Sequence, residues 1–165
     1  MTKVEIKKTP LDREFREICT KLISEAKESV YVIAGELGSL KAPDMQSATV
    51  EAVAKRGVKG YAYASNHAEK TMQNYAISIG CRLYIGERYE ETHYLVIDGK
   101  HVVQSDNKIE GRKTKIGTRE GWVYYDDPEK AKEIINKFEE LKQQAREITT
   151  IDKTIDPFYQ LVHSA

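Results

Sequence analysis

The sequence is most informative at first through what it lacks. Only two cysteines, Cys19 and Cys81, occur in 165 residues, far apart and without a CxxC or His-rich neighbour. Their scarcity argues against a disulfide scaffold and against a zinc site, and it fits a reducing cytosol. No apolar run approaches the roughly 18 residues that a membrane-spanning helix requires. The first residues, Met1-Thr2-Lys3-Val4-Glu5, lack the charged and apolar regions of a signal peptide, so a cytoplasmic protein is expected. Charge of one sign is also missing: 26 Lys and Arg balance 26 Asp and Glu. That balance excludes a globally basic nucleic-acid binder and an acidic disordered tail, and any polyanionic partner must meet a local basic patch. There is no GxSxG elbow and no HExxH pair. Gly35-Glu36-Leu37-Gly38 has neither the GxGxxG spacing nor a P-loop lysine, so no nucleotide cofactor and no resident metal are expected.

What is present is an alternation of short apolar strands and amphipathic helices. Leu11, Phe15, Ile18, Leu22 and Ala26 recur at three- and four-residue spacings and predict a helix over residues 11–28, opened by Thr9-Pro10. Residues 30–34 (VYVIA) read as a buried strand. A loop leads to a second helix capped by Asp44, with Met45, Ala48, Ala52 and Val53 inward and Gly57 ending it. The cycle repeats through a strand at 58–64, a helix capped by Asn66 and stopped by Gly80, and a strand at 81–85. Such βαβ units imply right-handed crossovers and a largely parallel sheet covered on both faces. The rhythm then changes. Residues 92–97 (THYLVI) and 100–105 (KHVVQS) are joined by Asp98-Gly99, a pair suited to a type I′ hairpin turn. After a polar stretch come a strand at 119–125 and the longest helix, opened by Asp127-Pro128, with Ile134, Ile135, Phe138, Leu141 and Ala145 inward. No internal repeat or low-complexity segment interrupts this, so one α/β domain over residues 1–148 is expected. Residues 149–165 form a tail that docks on the core or on a partner subunit.

The hairpin concentrates chemistry. Residues two apart on a strand face the same way, so Glu91, His93 and Leu95 share one face, as do Ser105 and Asn107. A carboxylate, an imidazole, a hydroxyl and an amide thus gather at one end of the sheet. By itself, His93 is better explained as a histidine on a strand at a sheet edge, satisfied by a backbone carbonyl. Lys108, Arg112, Lys113, Lys115 and Arg119 form a locally positive stretch beside that end. It reads either as a clamp for a phosphate-bearing ligand or as a solvated loop in a lysine-rich chain. Ten tyrosines are numerous for this length. They suit half-buried packing at helix–sheet boundaries or a dimer interface better than base stacking.

These residues and the order of elements resemble the phospholipase D superfamily, whose motif is H-x-K-x4-D followed by G-S-x-N. The resemblance covers roughly residues 11–145. Anchored on Asp98 as the motif aspartate, it puts Glu91 at the family's nucleophilic histidine and His93 at its phosphate-binding lysine. Ser105 and Asn107 match the serine and asparagine, Gln104 replaces the glycine, and Glu120 fits the acid that often follows. A rival register with His93 as nucleophile would put Leu95 at the lysine and Lys100 at the aspartate. The closing strand and helix also resemble the effector domain of TrmB-like transcription regulators, which carry a winged helix in front; residues 1–10 leave no room for one.

The resemblance implies a mixed sheet flanked by helices. It implies a site in which His93, Glu91 and Glu120 are the catalytic candidates. Ser105, Asn107, Asp98 and the basic residues of the following stretch would bind ligand. A carboxylate at Glu91 repels a phosphodiester and is expected to hydrogen-bond His93 instead. The expectation is a catalytically impaired member that binds or senses a phosphate-bearing small molecule or nucleic acid. The alternative is a phosphodiesterase or nuclease using His93. Members with one motif per chain resemble half of larger enzymes, which implies a homodimer, with Trp122, Phe158 and Tyr159 as candidate contacts.

Overall fold

A computed structural model describes residues 2–8, 13–106 and 119–155. Eight strands form one mixed sheet in the order β1-β7-β6-β5-β2-β3-β4-β8. They are β1 (Thr2–Lys8), β2 (Ser29–Ile33), β3 (Lys59–Ser65), β4 (Arg82–Gly86), β5 (Thr92–Ile97), β6 (His101–Asp106), β7 (Arg119–Tyr125) and β8 (Arg146–Ile148). The helices are α1 (Arg13–Glu25), α2 (Pro43–Thr49), α3 (Lys70–Ser78) and α4 (Pro128–Gln143). As the βαβ rhythm requires, β2, β3 and β4 run parallel. The hairpin strands β5 and β6 and the edge strands pair antiparallel.

Both faces of the sheet are covered. On one, Cys19, Leu22, Ile23, Met45 and Ala48 of the first two helices pack on Val30, Leu95, Ile97, Val103 and Val123. Further along that face, Met72 and Ala76 of α3 pack on Ala62, Ala64, Leu83 and Ile85. On the other, Ile134, Phe138 and Leu141 of α4 pack on Ile33, Tyr63, Tyr84, Val96 and Val102. The tyrosines serve that boundary. Tyr31 and Tyr61 stack with ring centres 4.6 Å apart, and Phe138 meets Tyr31 edge-on at 5.2 Å. Both cysteines are free, and burial pushes the Cys81 thiol up to about 12.

Several predicted boundaries move, each for a visible reason. The first helix stops at Glu25 because the N–H groups of Lys27, Glu28 and Ser29 turn to the Asp98 carboxylate. The second is capped at Ala42 rather than Asp44, with Pro43 at its first position, and loosens into a π-type turn over Val50–Lys55. The third begins at Lys70, not after Asn66, because Ser65 to Ala68 form a tight turn instead. Asp127 caps α4 as expected, accepting from the Lys130 N–H at 3.0 Å. Two elements come without a sequence signal, β1 on one edge and β8 on the other. Beyond β8, Asn74 exchanges two hydrogen bonds with the backbone of Asp152, at 2.8 and 2.9 Å. Among the described residues no helix is long and apolar enough to cross a membrane.

Candidate functional site

In a parallel sheet the strand carboxyl ends open a crevice that helices cannot fill, and ligands of α/β folds sit there. Here that edge is formed by the ends of β2, β3 and β4 and by the start of the antiparallel β5. The carboxyl end of β6 and the start of β7 continue it, with His93, Ser105 and Gly121 in one register row. His93 and Ser105 therefore do face each other across neighbouring strands. His93 is half-buried, and Ser105 is buried at 1% exposure.

The centre of this edge is the residue after β2. The Gly35 N–H donates to Nε2 of His93 at 3.2 Å, so that nitrogen is a lone-pair acceptor and the imidazole is neutral with its hydrogen on Nδ1. The Gly35 carbonyl accepts from the Ser65 N–H at 3.0 Å and from Ser65 Oγ at 2.7 Å. His67 sits within reach of the same hydroxyl, Nδ1 to Oγ at 3.3 Å. The β4–β5 loop closes over this group. Its Tyr89 ring lies edge-on to His67 at 5.6 Å. That loop is itself anchored: Tyr63 donates to the Arg88 carbonyl at 2.8 Å, and buried Glu90 pairs with Arg88 at 3.0 Å and Lys137 at 3.6 Å. Burial, and then the negative charge of Glu90, raises the Tyr63 phenol above its ordinary range.

Two glycines make these approaches possible, and they predict different outcomes. A Cβ on Gly86 would stand 2.5 Å from the hydroxyl of Tyr63, which is 1% exposed and has nowhere to go. A Cβ on Gly35 would stand 2.6 Å from the ring of Tyr89, which is 40% exposed and can swing outward. Gly86→Ala is expected to lower the unfolding free energy by about 1–2 kcal/mol and Gly35→Ala by less than about 1 kcal/mol. Urea titrations of both variants check the order.

The residues marked in the sequence are not all brought together. Glu91 is exposed and precedes β5. Glu120 and Arg119 begin β7, where Glu120 is the register partner of Asp106. Asn107, Lys108, Arg112, Lys113 and Lys115 lie outside the described residues. Asp98 does not join the group. It sits at the far end of β5, about 17 Å from His93 at roughly 3.4 Å per strand residue. There its carboxylate accepts from the N–H groups of Lys27, Glu28 and Ser29 at 2.7–3.1 Å. Burial alone would raise its pKa, but those three donors and the Lys100 charge outweigh it and hold the carboxyl below its ordinary range. Gly35, Ser65, His67 and Tyr89 were not singled out by sequence. Their signal is position: Gly35 and Ser65 fall just past a predicted strand, and His67 and Tyr89 lie within four residues of one. No cluster of three or more metal-ligating side chains occurs among the described residues.

No family model matches the sequence, and no curated protein matches it. Solved structures do. Nuc from Salmonella typhimurium, described as a phospholipase D family member, matches 90% of this chain and 100% of its own, at 18% identity and a TM-score of 0.69. NucT from Helicobacter pylori matches 89% of this chain and 99% of its own, at 17% identity and 0.64. TrmBL2, an archaeal chromatin protein with a described mode of DNA binding, matches 90% of this chain and 55% of its own, at 14% identity and 0.63. The chain therefore has the fold of the phospholipase D family.

Proposed function

We propose that this chain is a catalytically impaired phospholipase D-like domain that binds a phosphate-bearing ligand or nucleic acid and works as a homodimer. The observation that carries the reading is the 3.2 Å bond from the Gly35 N–H to Nε2 of His93. A histidine whose basic nitrogen is already an acceptor inside the fold is neutral and offers neither a nucleophile nor a charge at that atom. Glu91, at the place of the family's nucleophile by the motif register, adds a negative charge that a phosphodiester would meet unfavourably. The likeness to TrmBL2 supports a nucleic-acid ligand, because that protein is described as binding DNA. The Lys- and Arg-rich stretch from Lys108 to Arg119 supplies the local positive charge such a ligand needs.

Purified protein is expected to give no phosphodiester turnover above background, and His93→Ala to leave that result unchanged. Turnover that disappears with His93→Ala overturns the reading. Binding is expected in a thermal-shift series with a single-stranded oligonucleotide, and the shift should fall as salt rises. The dimer is tested separately by light scattering, where a monomer alone at micromolar concentration removes it.

A further inference from the structure

One histidine accepts from Gly35 directly and another is linked to it only through Ser65, and their hydrogen bonds assign them different protonation behaviour. The Gly35 N–H is committed to Nε2 of His93 and the Gly35 carbonyl to Ser65 Oγ. A serine hydroxyl has one hydrogen, and here the 2.7 Å contact to that carbonyl uses it. The Ser65 oxygen can therefore only accept from Nδ1 of His67, 3.3 Å away, as it also accepts from the His67 backbone N–H at 3.2 Å. Nδ1 of His67 thus carries the hydrogen, and Nε2 is the basic nitrogen. Adding a proton at Nε2 of His67 keeps every one of these bonds. The same step at His93 would set two N–H groups against each other and break the bond to Gly35.

The surroundings of His67 leave an added charge open to solvent. His67 is exposed, while Ser65, which orients it, is fully buried and rigid on β3. The titratable group facing it from the β4–β5 loop is the Tyr89 phenol. Next along the chain are Glu69, held in an ion pair with Lys41 at 2.7 Å, and the cation Lys70 at the start of α3.

We propose that His67 is the protonatable anion-binding residue of this site. As an imidazolium it gives a hydrogen bond from Nε2 to a phosphate oxygen, with Ser65 fixing the ring, while His93 stays neutral as a structural acceptor. This rests on the reading of the edge as a phosphate site and adds the residue that holds the charge.

Nitrogen NMR of the imidazole rings in labelled protein reports each tautomer and charge directly. His67 is expected as the Nδ1–H tautomer at pH 8, with Nε2 free to take a proton in the presence of an anion. His93 is expected to keep Nε2 as the acceptor from Gly35, at pH 8 and at pH 5.5. Bis(4-nitrophenyl) phosphate, a monoanion throughout, is then the probe. Its affinity is expected to rise about two- to fivefold between pH 8 and 5.5, and His67→Gln to flatten that rise. An Nε2–H tautomer at His67, or an undiminished rise in His67→Gln, overturns the inference alone. Failure of the diester to bind at any pH overturns the phosphate reading with it.

Discussion

Phe138→Ala is expected to lower the free energy of unfolding by about 3–5 kcal/mol, the range for removing a buried aromatic ring from a packed core. Phe138 is 1% exposed and lies midway along α4, the helix that covers one face of the sheet among the described residues. Its ring is met edge-on by Tyr31 at 5.2 Å, Tyr84 at 5.9 Å and Tyr61 at 6.5 Å. Such edge contacts contribute about 0.5–1.5 kcal/mol each beyond the area they bury. The tyrosines stand on three neighbouring strands, β2, β3 and β4, so they cannot collapse into the vacated space without moving the sheet. Domains of this size are stable by about 5–15 kcal/mol, so this one ring carries a large share. Urea denaturation checks it through a fall in midpoint at constant slope. Phe138→Leu, which keeps most of the volume, should lose less than about 1.5 kcal/mol. A loss under about 1 kcal/mol for Phe138→Ala would mean that α4 is not seated by this residue.

That core was legible because its pattern is local. Ile134, Phe138 and Leu141 repeat at helical spacing, and Tyr61 and Tyr63 of β3 repeat at strand spacing, so each element declares its inward face without reference to the rest. The hairpin was equally plain. Asp98 and Gly99 have φ of +55° and +66°, the pair of positive values that a type I′ turn demands. What the pattern could not carry is pairing between distant segments. β1 (TKVEIKK) has only two apolar residues among seven, and β8 has three residues in all. Neither is recognisable as a strand until β7 and β4 offer a free edge.

The site was half legible for the same reason. His93 and Ser105 lie on one hairpin, whose register follows from its turn, so their meeting could be read directly. Gly35, Ser65 and His67 come from two separate strand ends, and only the parallel pairing of β2 with β3 brings them together. Asn66 looked like a helix cap because a polar residue before an apolar run is the general signal for one. In the fold, Ser65 takes the hydrogen-bonding role at this corner, and the helix starts later. Asp98 is a different case. Its match to the motif is a match in sequence, while its place in the fold is at the opposite end of the sheet from His93.

That placement leads to the second large effect, a stability change at Asp98 with a defined pH dependence. Asp98→Ala removes the acceptor for three backbone N–H groups at the α1–β2 corner and puts alanine at φ +55°. Hydrogen bonds to a charged acceptor contribute about 1.5–3 kcal/mol, trimmed by screening because the carboxylate is half-exposed. The left-handed backbone adds about 1 kcal/mol for alanine. The expected loss at pH 7 is about 3 kcal/mol. Because the folded carboxyl is held below its ordinary range, the ionised group contributes its full stabilisation above the unfolded carboxyl value of about 4. The stabilisation is then lost as pH falls through the lower folded value. The gap between wild type and Asp98→Ala should therefore narrow as pH drops from 5 towards 2, leaving the backbone term. Asp98→Asn keeps a side chain tolerant of positive φ and one carbonyl acceptor, and it should lose less at pH 7 while showing no carboxyl step. Melting temperatures of the three proteins across that range decide it, and a gap that stays constant would mean that the charge on Asp98 does not hold this corner.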